Sequence, residues 1–185
     1  MTDYIQKKRK ELFLFGEQLS VLDVRSLYYL KKELGTNVKG SNELFYNTGK
    51  DAVKRMQDSF VKFLGDSATV LMSDPKTALN AFVEILSYLG LGGISVAEFT
   101  PQATKFIVRH SAEAQEYANL KEGSKSPVCH ALAGIFAGVC EGVSRSPVKC
   151  RETKCIACGD DFCEFVIQKD ILTRGGGNDR QGHKT

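Results

Sequence analysis

All six cysteines of the chain fall between positions 129 and 163, at Cys129, Cys140, Cys150, Cys155, Cys158 and Cys163, and the acidic Glu152 stands among them. Thiolates are soft donors that suit tetrahedral zinc, and a carboxylate can complete the set, so three cysteines with one glutamate would make an ordinary zinc site. Three other arrangements draw on the same residues. Cys150, Cys155, Cys158 and Cys163 form an all-sulfur ribbon candidate, although its two pairs are unequally spaced. Cys155-Ile156-Ala157-Cys158 has the spacing of a redox dithiol, without the strand-to-helix setting that lowers a thiol pKa. Free buried cysteines are also common in cores, a description that suits Cys140 and Cys150. Spacing alone leaves all four arrangements open.

Which thiols can meet depends on the elements that carry them. A helix is expected from about Pro127 to Gly142, with Cys129, Ala133, Phe136 and Cys140 on one face. Gly134, Ala137 and Gly138 crowd a neighbouring face, where the sheet or a second subunit must come close. Strands are expected at about 148–153 and 162–168, joined by the turn-rich Cys158-Gly159-Asp160-Asp161. Strand parity places Cys150 and Glu152 on the inward side with Cys163, Phe165 and Ile167, and an inward carboxylate needs a partner. One side of this hairpin therefore carries Glu152 and Cys163, with Cys155 at the turn.

Upstream, Leu22, Leu27, Leu30 and Leu34 predict an amphipathic helix from Ser20 to Leu34, closed by Gly35. A second helix spans Ser41 to Leu64, with Leu44, Val53, Met56, Phe60 and Phe63 as core candidates; Gly49 near its middle marks a close approach of another element. A third follows Asp74-Pro75 and presents Leu79, Phe82, Val83 and Leu86. Two alternating runs, 94–99 and 105–110, then read as a hairpin. Leu12 to Phe15 reads as a short buried strand or a helix start, after the solvated basic run Lys7 to Lys10. Helices first, then hairpin, helix and hairpin, argue an α+β fold: an antiparallel sheet of about four strands with helices packed on it.

The composition limits the function classes. A chain of 185 residues, 42% hydrophobic and 25% charged, can build a single domain over residues 1–170 without disulfides, followed by a polar tail at 171–185. A net charge of +3 is too mild to argue for direct nucleic-acid binding. No apolar run approaches the roughly 20 residues of a membrane span, and the N-terminus lacks a signal-peptide core. A soluble protein of the reducing cytoplasm is expected.

The segment resembles the 4-vinyl reductase-like domain family, and most closely the sensor domains of phenol-responsive activators. The likeness rests on Pro127-Val128-Cys129 opening a glycine- and alanine-rich helix, on Glu152-Thr153-Lys154-Cys155, on Gly159-Asp160-Asp161-Phe162-Cys163, and on His110-Ser111-Ala112-Glu113-Ala114. It covers about the last third of the chain and is weak over residues 1 to 90. The resemblance implies a zinc held by Cys129, Glu152, Cys155 and Cys163, leaving Cys158 as a candidate redox thiol. It also implies a fold shared with vesicle-tethering TRAPP subunits and with haem-based nitric-oxide sensors, enclosing a hydrophobic pocket, in proteins that often form homodimers.

On this resemblance the chain is a stand-alone sensory domain rather than an enzyme, with Phe82, Leu86, Phe106 and Val108 as candidate lining of a pocket for a hydrophobic small molecule, signalling to a separate protein partner. A scaffold subunit of the tethering type and a cysteine redox switch are the alternatives. Phenol itself does not carry over. Phenol sensors hold it with a histidine and a tryptophan, whereas this chain has no tryptophan. Val108 stands about where the indole is expected, and none of His110, His130 and His183 matches the pocket histidine.

Overall fold

The computed structural model describes residues 5–8, 11–20, 22–100 and 103–169. Three short strands come first, β1 (Ile5–Lys8), β2 (Glu11–Leu14) and β3 (Glu17–Leu19), paired as an antiparallel meander. Four helices follow: α1 (Val24–Asn37), α2 (Ser41–Leu64), α3 (Ser67–Ser73) and α4 (Pro75–Tyr88). Then come β4 (Gly93–Phe99), β5 (Thr104–Arg109), α5 (Gln115–Asn119), α6 (His130–Ser144), β6 (Val148–Lys154), a single 3-10 turn (Ile156–Cys158) and β7 (Cys163–Lys169). The expected α+β architecture is present. Two hairpins, β4–β5 and β6–β7, join through β5 and β7 into one antiparallel sheet of order β4-β5-β7-β6. The expected tail at 171–185 lies outside the described residues, as does part of the basic run.

Helix α6 is the centre of the molecule. One side lies on the sheet, where Phe136 stacks on Phe106 of β5 at 4.3 Å and meets Phe165 of β7 edge-on at 4.9 Å, all three fully buried. The opposite side meets α2 so closely that a Cβ on Gly134 would lie 1.9 Å from the Tyr46 carbonyl oxygen, and one on Gly49 2.2 Å from that of Ala131. The small face of α6 is therefore covered by another helix of the same chain, not by the sheet or a second subunit. Gly49 marks the close approach the sequence suggested.

The N-terminal third departs most from expectation. Asp23 accepts from the Ser26 amide at 3.0 Å and starts α1 at Val24, and the helix runs through Gly35 to Asn37. Its buried residues are Tyr28 and Lys31, while Leu22 and Leu30 are 57% and 46% exposed. Leu44 and Phe63 of α2 also face solvent. Helix α6 begins at His130 with Cys129 as its cap, so Pro127 precedes the helix instead of opening it.

Candidate metal centre

Four side chains come together from three places. Cys129 arrives at the start of α6, Glu152 from β6, Cys155 from the turn after β6, and Cys163 as the first residue of β7. All four are buried, and one ligand atom from each lies within 4.8 Å of every other. A three-residue separation would ordinarily put Glu152 and Cys155 on opposite faces of a strand. The register shift between Glu152 and Lys154 against β7 removes that conflict by inserting one extra residue, Thr153. The bulge is what lets the Glu-x-x-Cys spacing aim both donors inward.

The surroundings are built for a charged centre. The Cys129 and Cys163 sulfurs are 3.7 Å apart, the Ile156 amide donates to the Cys163 sulfur at 3.4 Å, and the Ser111 hydroxyl lies 3.4 Å from the Cys129 sulfur. Asp160 accepts from the Cys155 amide at 2.7 Å and fixes the turn. Glu152 Oε2 accepts from the Cys129 amide at 2.8 Å, whereas Oε1 is buried with no hydrogen-bond partner, alone in this among side-chain oxygens and nitrogens of the described residues. A buried carboxylate oxygen left bare is costly unless a cation faces it. The donor set and this bare oxygen fit a metal ion.

The thiols divide the charge unequally. Hydrogen bonds from Cys129 and Cys163 pull the Cys155 thiol far below its ordinary range, and burial pushes Cys129 well above it. For Cys163, the Cys129 thiol pulls downward, but the hydrogen bond to Cys155 and burial together win and raise it. Burial pushes the Glu152 carboxyl up to about 8, with the neighbouring Cys155 adding to the effect. One thiolate centred on Cys155, screened by two thiols, is the resting charge a cation would meet.

The remaining cysteines stand apart. Cys158 is exposed, its thiol raised to about 11 first by burial and then by Cys155. Cys140 and Cys150 are buried outside the group, so the all-sulfur ribbon is not assembled. Of the four candidate pocket residues, Phe82, Phe106 and Val108 are fully buried in the core, and Leu86 borders a cleft of about 320 Å³ with Leu14, Val53, Met56 and Ile135. A second cleft of about 280 Å³ lies across Leu14, lined by Phe60, Leu64, Leu71 and Ile85. Lys31 and Glu113, buried beside Cys129, were not among the expected site residues; a lysine within a helical pattern reads as solvated, and only the His110–Ala114 motif hinted at Glu113.

Every residue of the group falls within one recognisable module. Residues 106–169 match the vinyl-4-reductase domain. This bears out the resemblance drawn from the motifs, and the matched stretch runs from β5 to the end of β7. An uncharacterized protein of Methanocaldococcus jannaschii is 27% identical over 129 residues, 70% of this chain and 65% of the relative; a second from the same organism is 25% identical over 169 residues, 89% of this chain and 60% of the relative. The chain spans less than two thirds of the length of these relatives. Among solved structures, the phenol-responsive sensory domain of the transcription activator PoxR, bound to phenol, superposes with a TM-score of 0.75 at 17% identity, covering 90% of this chain and 85% of that one. A trafficking protein particle complex subunit 3 from Naegleria fowleri, covalently bound to palmitic acid, gives 0.54 at 16% identity, covering 79% and 94%. A vinyl-4-reductase family protein from M. jannaschii gives 0.53 at 15%, covering 82% and 83%. At these identities the likeness shows the shared fold. Among the described residues, no helix is long and apolar enough to cross a membrane.

Proposed function

We propose that this chain is a ligand-binding sensory or regulatory domain whose C-terminal module is pinned by one zinc ion, bound through Cys129, Glu152, Cys155 and Cys163. The observation that carries the zinc is the convergence of three sulfurs and a carboxylate whose Oε1 has no other partner. Sulfur-rich tetrahedral sets favour zinc over the harder cations, and four protein donors close the coordination sphere, which suits a structural ion. That argues for a binding module, not an enzyme. The ion would supply charge compensation and a cross-link between the start of α6 and the β6–β7 hairpin.

The ligand of such a domain would be apolar and would enter the clefts on either side of Leu14, which are lined almost wholly by hydrocarbon. The solvent-facing apolar residues of α1, Tyr29 and Leu30 among them, support a homodimer or contact with a downstream protein. The filled interior around Phe82, Phe106 and Val108 supports a second reading, a scaffold subunit that binds nothing. Metal analysis and native mass spectrometry of the purified protein test both readings. One zinc per chain with a co-purifying apolar molecule is the expected result. Zinc without any bound molecule favours the scaffold, and protein without stoichiometric metal overturns the zinc site.

A further inference from the structure

We propose that the buried Lys31–Glu113 ion pair positions Cys129 for metal binding and thereby couples occupancy of the metal centre to the docking of α1. The inference rests on the metal reading above. The two side chains are 5% and 6% exposed and meet at 2.5 Å. An ion pair so deeply buried persists only when further hydrogen bonds compensate its lost hydration. Those bonds are specific. Lys31 Nζ also donates to the carbonyl oxygen of Val128, and Glu113 accepts from the amides of Ala131 at 3.3 Å and Leu132 at 2.7 Å. They bracket Cys129 on both sides.

The bracketing fixes a residue that no helix or strand fixes by itself. Cys129 caps α6 with a non-helical backbone, φ −84 and ψ 55, so its direction depends on what holds its neighbours. A carboxylate over the first amides of a helix is favourable, because those donors have no partners within the helix. The chain leading to Glu113 also places the Ser111 hydroxyl 3.4 Å from the Cys129 sulfur, so one short segment holds this cysteine by backbone and by sulfur.

At the other end of the pair, α1 has few apolar anchors. Tyr28 and Lys31 are its buried residues, and its remaining ties are polar: Tyr28 and Lys32 to Glu122, and Arg25 to Glu116 at 2.8 Å. Of these ties, the Lys31 contact reaches the metal-bearing loop. Loosening Cys129 frees the Val128 carbonyl and weakens the hold on α1; releasing α1 withdraws the cation that pairs Glu113. Such coupling acts equally in both directions.

Cobalt(II) is the probe, since its thiolate charge-transfer absorption reports the ligand geometry. In the double variant Lys31→Met/Glu113→Gln, which removes both charges at similar volume, cobalt transfer to a chelator is expected to accelerate at least about tenfold, with altered absorption. Removing metal from the wild type should speed hydrogen exchange of the α1 amides, and should add nothing in the double variant. Tyr28→Phe is the control: it loosens α1 but leaves cobalt release at the wild-type rate. Wild-type release from the double variant, or α1 exchange indifferent to metal in the wild type, overturns the coupling. A wild-type protein that takes up no cobalt overturns the metal reading, and the coupling with it.

Discussion

The two ends of α6 bury the same side chain to opposite effect. At the N-terminal end Cys129 is wholly buried among two further sulfurs, a carboxylate and backbone amides. Near the C-terminal end Cys140 is almost as buried, at 7%, but it borders an apolar cleft of about 160 Å³ with Leu79, Val143, Val148 and Ile167, and burial raises its thiol to about 12. Burial alone therefore says nothing about the role of a cysteine. Neighbouring donors and amides organise the first sulfur into a candidate ligand; hydrocarbon makes the second a small apolar residue.

The largest effect should come from the organised end. Cys163→Ser is expected to abolish stoichiometric metal binding and to cost about 4 kcal/mol when metal exceeds its dissociation constant a thousandfold, read by metal analysis and thermal unfolding. If the variant keeps its metal, the contrast between the two ends disappears.

A smaller effect is expected from Glu141, which holds the C-terminal end by pairing with Lys50 at 2.6 Å and Lys54 at 3.0 Å and by accepting from the Val148 amide at 3.1 Å. Burial alone would raise this carboxyl, but the bonds from Lys50 and Lys54 outweigh it and hold it below the ordinary 4.5. A carboxyl lowered in the folded state contributes stability that is complete above its unfolded pKa and is lost as pH falls through the folded one. Between about pH 5 and about pH 3 the wild type should lose about 1 kcal/mol more than Glu141→Gln. Both shed metal alike in acid, so the difference in denaturation midpoint isolates this group; equal losses would remove Glu141 as an anchor.

The smallest effect belongs to Cys140→Ala. Metal content should be unchanged and stability should fall by about 1 kcal/mol or less. Loss of metal from this variant would mean that the two ends communicate in a way their contacts do not show.

Much of the centre was legible because strand parity and motif spacing are local properties. The inward side of β6 and β7 follows directly from alternation, and Gly49 and Gly134 announced a close contact. Parity alone did not foresee the bulge at Thr153, which depends on pairing with β7. Helix α1 was misread for a physical reason: its leucines recur at helical spacing, yet the surface it meets offers Glu113 and Glu122, so Tyr28 and Lys31 turn inward and Leu30 turns out. Amphipathic periodicity finds a helix but not the chemistry of its partner. Helices α3 and α5, of 7 and 5 residues, are too short for a periodic signal.

The glycine contacts between α2 and α6 limit how this domain can move. With carbonyl oxygens where side chains would otherwise cushion the crossing, and with the Val53 methyl filling the gap a Cβ on Gly138 would need, neither helix can slide or roll by one residue without collision. The crossing behaves as a keyed joint. Whatever rearrangement accompanies ligand uptake must therefore bypass it, through the loosely moored outer elements and not through the middle of the molecule.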